Sequence, residues 1–407
     1  MAAMPLARAA TLALLTLGLA APAIASDPVY RLSIGDPARR DRDAPVVLDG
    51  ITDTVTGKTI DPASLAAALA PARLVLVGES HTSIESHRVE LQVIRALHDA
   101  GRHVVIALEM FPYTAQSGLD GWKAGWSEED FIAKAHWYDV WGYHWDYYRD
   151  IFLYARSQEI PLVAANAPRE VVTAVRQKGL ASLPADQAGH LPPRIDADSE
   201  EHLAFFKASF DDGDTMHGGM TDAAWKSMLS AQATWDGAMA WNAVKALDPL
   251  AGDPKGVVVL LAGSGHVAYG LGVARQARLY FHDPIATIIA MPIADEKGAI
   301  PVVRASYADF IWGVAREKDS PWPALGVSTR AGDGGRREII DVEKDTPAAR
   351  AGLAVGDALV SIDGTAIPDR ETLNRVMAAY HWADAPTVVV SRGGREVPVV
   401  VPLRRVP

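Results

Sequence analysis

Cysteine is absent from all 407 residues. Without a thiol the chain forms no disulfide, offers no Cys-ligated zinc and no C-x-x-C-H attachment motif, and presents no N-terminal cysteine for acylation. Positive charge is also scarce. Lys and Arg number 39 against 50 Asp and Glu, a net charge of −11. That balance denies the chain the basic face a phosphate backbone requires, and nucleic acid is excluded as a partner. Long apolar runs are missing except at the start. There "AATLALLTLGLAAPAIA" follows Arg8, is broken by Pro22 and ends in Ala23-Ile24-Ala25. The run is short for a bilayer span and has the pattern of an export signal over residues 1–25. The mature protein is therefore expected to be soluble, periplasmic or secreted, and not a lipoprotein.

What is present supports a large core: 49% of residues are hydrophobic and only 22% charged, enough for two or three domains and too apolar for a disordered acidic tail. Strand and helix signals alternate. "RLVLVG" (73–78) is apolar throughout, as a parallel strand covered on both faces must be. From Glu85 to Ala100, Val89, Val93, Ile94 and Leu97 repeat at helical spacing, and Gly101 marks the end. "HVVIALEM" (103–110), "IPLVAAN" (160–166) and "GVVVLLAGSGH" (256–266) are further strands. Pro168 opens a helix, and a long one runs from about Asp222 to Leu247. The order predicts an α/β fold with a mostly parallel sheet flanked by helices.

Four apolar strands end in polar residues: Glu79 and His81, then Glu109, Asn166 and His266. In open α/β sheets ligands sit at the carboxyl ends of the strands. The first and last ends share a spacing, Gly78-x-x-His81 and Gly263-x-x-His266, where glycine permits a close backbone approach. Glu79, His81 and His266 form a possible divalent metal set, with Glu79 and Glu109 as catalytic carboxylates if the protein is a hydrolase. The bland alternative is that each residue caps its own loop; the coincidence of four ends favours a shared site. Around it, Asn166 and Asp236 (one turn from Gln232) are candidate orienting residues. His87 pairs in spacing with Glu90; the pattern reads as a solvated helix face, with His87 an outer candidate. "DDGDTMHGGM" (211–220) lacks calcium-loop spacing and reads as a loop in which Met216 and His217 could edge a ligand.

"LVLVGESH", "VIALEMF", "GYHWDYYRDIFLYARSQEIPLVAANAPRE", "AQATWDGAMA" and "VVVLLAGSGHVAYGLGV" together resemble the ChaN-like haem-binding uptake domain. This domain belongs to the Tiki superfamily, with the TraB-like proteins and erythromycin esterases. The resemblance covers roughly residues 45–315. It implies that the two G-x-x-H motifs and Glu109 occupy positions that enzymatic relatives use for metal-assisted or acid–base hydrolysis. The ChaN branch instead implies haem binding and a role in iron uptake. Many of its members are lipoproteins, and this chain departs from them in having no cysteine. A haem reading draws on "HWYDVWGYHWDYY" (136–148). Trp141, Trp145 and Tyr148 fall on a helical seam, while Tyr143 and His144 lie off it and are the expected iron donors, with Tyr138 an alternative. Arg149 or Arg169 would meet the propionates. ChaN-like domains also imply haem held between two subunits, hence a homodimer on haem addition.

Residues 316–324 form a Pro- and charge-rich linker. Beyond it, residues 325–407 resemble a small, mainly-β PDZ domain, with "EIIDVEKDTPAARAGLAVGDALVSIDGTAI" (338–367) carrying the likeness. Thr346 caps a helix that starts at Pro347 and stops at Gly352, and Asp363-Gly364 suits a hairpin turn. "ETLNRVMAAY" (371–380) is a second helix. Leu325, Gly326 and Val327 resemble the loop that holds a peptide's C-terminal carboxylate, so a peptide or protein C-terminus is an expected partner. Two function classes follow: an exported haem-binding protein of iron uptake docked through its PDZ domain, or a metal-dependent hydrolase of an ester or peptide.

Overall fold

The computed structural model describes residues 28–209, 221–293, 303–317, 320–332 and 336–405. The export signal, and the loop containing Met216 and His217, lie outside these residues. Eight strands build the main sheet: β1 (Ile51–Asp53), β2 (Lys58–Ile60), β3 (Leu74–Glu79), β4 (His103–Pro112), β5 (Leu162–Asn166), β6 (Gly256–Gly263), β7 (Ile285–Pro292) and β8 (Phe310–Val314). Their spatial order is β2-β1-β8-β7-β3-β6-β4-β5. The six strands from β8 to β5 run parallel, and the β1–β2 hairpin adds an antiparallel edge. The α/β expectation holds. β3 and β6 at the centre are buried along their whole length, which is why their sequences lack the alternation of a half-exposed strand.

Helices cover both faces. Helix α1 (Ile84–Asp99) starts where the Ser83 side chain accepts from the Ser86 amide, and Gly101 follows it at φ +77°. Helix α2 (Arg169–Lys178) opens after Pro168, and α3 (Asp222–Lys245) lies across β5 and α2. The segment Trp137–Tyr148 is not one helix. It is a short helix (Trp137–Val140), a turn at Gly142 (φ +95°) and a 3-10 turn (Trp145–Tyr147), so its aromatic residues point in several directions. Trp137, Trp145 and Tyr148 enter the core that also buries Trp122, Phe131 and Phe152. Among the described residues no helix is long and apolar enough to cross a membrane.

The C-terminal region is a separate sheet with its own core around Ile339, Leu359, Ile362 and Val388. Its strands are β9 (Val327–Ala331), β10 (Arg337–Val342), β11 (Ala358–Ile362), β12 (Thr365–Ala366), β13 (Thr387–Arg392) and β14 (Arg395–Val400), in the order β9-β10-β11-β13-β14 with β12 beside β11. The Thr346 side chain caps α4 (Pro347–Ala351), and Gly352 ends it at φ +80°. Asp363 and Gly364 both have positive φ, the backbone a tight two-residue hairpin needs. Helix α5 (Arg370–Met377) completes the domain. β9 is an edge strand, which leaves one row of its backbone groups free to pair.

Candidate functional site

The first G-x-x-H end is a buried carboxylate facing an imidazole. Glu79, 2% exposed at the last position of β3, contacts the His81 ring at 2.5 Å and accepts from the Tyr148 hydroxyl at 3.1 Å. Burial disfavours the His81 charge, but the adjacent Glu79 carboxylate overrides it, and the imidazole pKa rises to about 9. Beneath this pair the His87 Nδ1 meets Glu90 at 2.7 Å. His87 is 4% exposed and Glu90 fully buried. The expectation of a solvated face is therefore corrected: two polar residues one turn apart point inward and pair with each other under Tyr148. Burial pushes the Glu90 carboxyl up to about 7.

The second end is more enclosed. His266 follows β6 in a short helix (Ser264–Val267), with its Nδ1 2.6 Å from Asp236 of α3 and its Nε2 3.3 Å from Glu109 of β4. Gln232 lies 2.9 Å from the same Nδ1. Burial opposes the charge of His266, yet two carboxylates raise its pKa well above the ordinary value. Burial likewise pushes Glu109 up, but His266 outweighs it and holds the carboxyl down at about 2. The Gly263 amide donates to Glu109 at 2.6 Å, and Asn166 donates to the Glu109 carbonyl. Asp236 thus holds the His266 ring, and Asn166 holds the Glu109 backbone. His202, which no sequence signal had marked, is fully buried 4.0 Å from Asp236 Oδ2.

The close approach that glycine permits is made here by a side chain. A Cβ on Gly263 would come within 2.9 Å of the His81 Cε1 and 3.7 Å of Glu109, so the glycine of the second motif makes room for the histidine of the first. The two ends therefore meet over β6. The geometry lends no support to the divalent metal expected on Glu79, His81 and His266. No group of three or more His, Asp or Glu that could hold a metal ion occurs among the described residues. The side chains are joined as histidine–carboxylate pairs.

Both ends open into a cavity of about 670 Å³ whose walls include His81, Glu109, Trp141, Tyr143, Trp235 and His266. That size suits a small-molecule ligand. Trp141 packs edge-on to His81 with ring centres 4.7 Å apart, and Tyr143 lies 5.0 Å from it. The Tyr143 hydroxyl has no hydrogen-bond partner among the described residues. Burial, then the charges of Glu79 and Glu109, raise its pKa, so the phenol keeps its proton at neutral pH. Of the other proposed haem residues, Arg169 borders the same cavity, and the rest are elsewhere. His144 stacks on Trp322 at 4.1 Å, and both its ring nitrogens are taken, by the Ala378 carbonyl and the Asp146 amide. Tyr138 is 7% exposed, and its carbonyl accepts from Asn374 of α5. Arg149 forms a bidentate pair with Glu128 at 2.6 and 2.8 Å, away from the cavity. Of the expected donors only Tyr143 faces the cluster.

A second cavity, of about 290 Å³, lies along Leu325, Gly326 and Val327 and is bordered by Leu373 and Met377 of α5. Gly326 has φ +76°, and a Cβ there would lie 2.3 Å from the Thr346 side chain. Tyr138, Gly142 and His144 of the α/β domain form the facing wall. The two domains are joined here by Asn374 donating to Tyr138 O and Arg370 donating to Trp141 O at 3.1 Å.

A family model described as haem-binding uptake, Tiki superfamily, ChaN matches residues 65–277, and a PDZ domain model matches 323–403. Among solved structures, "Cofacial heme binding to ChaN of Campylobacter jejuni" is 20% identical, covering 67% of this chain and 96% of that one with a TM-score of 0.48. The type III effector HopBA1 is 12% identical over 63% of this chain and 94% of its own, with a TM-score of 0.34. The HtrA3 PDZ domain bound to a phage-derived ligand is 17% identical over 20% of this chain and 83% of its own, with a TM-score of 0.18. No curated protein matches the sequence. The chain belongs to the ChaN family of haem-binding uptake proteins in the Tiki superfamily, with a PDZ domain at its C-terminus.

Proposed function

We propose that the protein is an exported haem-binding factor of iron uptake, with haem in the cavity between the strand ends and the aromatic segment and Tyr143 as the iron donor. The observation that carries this reading is the Tyr143 phenol, which faces His81 and Trp141 in that cavity without a hydrogen-bond partner among the described residues. Tyrosine is an established haem-iron ligand, and the Trp141, Tyr143 and Trp235 rings on the cavity wall offer a flat tetrapyrrole aromatic surface among polar groups. Membership of a haem-binding family supports the same ligand. The PDZ module would dock a peptide C-terminus along the open edge of β9.

The competing reading is hydrolysis by Glu109. A general base works best with a pKa near the operating pH, whereas His266 holds Glu109 at about 2. The same ion pair that makes the cluster conspicuous makes Glu109 a poor base. Haemin titration of the full chain, followed by its Soret absorbance and by size-exclusion chromatography, tests the proposal. A saturable spectral shift with a move toward dimer is expected. Absence of any haemin spectrum, together with turnover of a test ester that Glu109→Gln abolishes, would reverse the assignment.

A further inference from the structure

Three guanidiniums border the 670 Å³ cavity, those of Arg169, Arg337 and Arg370. They come from both domains: Arg169 begins α2, Arg337 begins β10 and Arg370 begins α5. None forms an ion pair with a carboxylate among the described residues. Arg337 donates to the Thr329 carbonyl and hydroxyl, and Arg370 to the Asp139 and Trp141 carbonyls. No partner is found for the exposed Arg169 side chain among the described residues. Asp139 and Glu170 share the rim, but among the described residues neither carboxylate forms an ion pair with the three. This differs from other arginines of the molecule. Arg149, Arg275 and Arg392 each sit against a carboxylate at 2.6 Å or closer.

We propose that Arg169, Arg337 and Arg370 form a composite oxyanion site, so that the PDZ domain supplies two of the groups that hold the ligand of the α/β domain. The ligand chemistry is a pair of carboxylates or a phosphate, and within the haem reading, on which this part rests, the anions are the two propionates. Guanidinium is the group suited to bidentate carboxylate or phosphate contacts. The cations also crowd one another: after burial, the charge of Arg169 is the main cause that lowers the pKa of both Arg337 and Arg370. An oxyanion between them relieves that repulsion. The cavity's aromatic wall and Tyr143 would then receive the ring while its acidic edge meets the arginines.

The test measures three probes on the full chain: haemin, haemin dimethyl ester and inorganic phosphate. Arg169→Gln and Arg337→Gln are the variants, with thermal melting as the check on folding; Arg169 is exposed, so its change leaves packing intact. Each variant is expected to weaken haemin by about tenfold, the loss that goes with one charged hydrogen bond. The dimethyl ester should bind wild type and variants alike, and phosphate should compete with haemin but not with the ester. If phosphate binds wild type and not the variants while haemin gives no spectrum, the oxyanion site stands and the haem reading falls. If haemin binds wild type and both variants equally, or neither haemin nor phosphate binds, the inference is overturned.

Discussion

The two G-x-x-H motifs carry the same residues at the same spacing and end in opposite situations. His266 is gripped by Asp236 on one ring nitrogen and Glu109 on the other, with 14% of its side chain exposed. His81 has one carboxylate, 27% exposure and two aromatic rings beside it in the cavity wall. The difference lies in the neighbouring chain rather than in the motif. His266 sits beside α3, whose Asp236 is fully buried; His81 sits beside the irregular Trp137–Tyr148 segment. One histidine fixes the electrostatics of the strand ends, and the other borders the ligand.

Removing His266 should break this arrangement most severely. His266→Ala leaves Glu109 and Asp236 buried without their cation, a change that costs about 3–5 kcal/mol. Chemical denaturation should show a loss of that size, and a far smaller one for His81→Ala; equal losses would mean that the two histidines are equivalent. The loop placement read from the sequence understated how deeply His266 is enclosed. Next in size is Gly263→Ala. Its Cβ would press on the His81 ring at 2.9 Å, an overpacking worth about 1–3 kcal/mol. Pairing it with His81→Ala should recover most of the loss, since the clash disappears.

The smallest effect is a pH dependence. His81 is raised from 6.5 to about 9, so its contribution to stability is complete below about 6.5 and is lost as pH rises through about 9. Glu109 is lowered from 4.5 to about 2, so its contribution is present above about 4.5 and is lost as pH falls through about 2. The imidazole NMR signals of His81 should titrate near pH 9. Titration near 6.5 would contradict the Glu79 pairing.

Much of the fold was legible because uninterrupted apolar runs such as Leu74–Val77 admit few alternatives to a buried parallel strand, and a polar residue after such a run marks its carboxyl end. Asp236 was legible too, one turn from Gln232 on the long helix. Other features were not. His87 and Glu90 read as solvated because helical spacing does not reveal that two polar side chains pair with each other inside. Tyr148 read only as core, since its hydroxyl contact with Glu79 spans 69 positions. Tyr138 and His144 resembled donors by residue type, yet Tyr138 is buried and both ring nitrogens of His144 are occupied. Arg337 and Arg370 carry no local signal, because their meeting with Arg169 depends on how the two domains pack.

The central claim, that Tyr143 receives haem iron beside His81, is tested most directly by haemin titration of wild type, Tyr143→Phe and Tyr138→Phe. Phenylalanine keeps the ring's packing and removes only the oxygen, so Tyr143→Phe should shift the Soret band and weaken binding while Tyr138→Phe behaves as wild type. Identical spectra and affinities for wild type and Tyr143→Phe would contradict the claim.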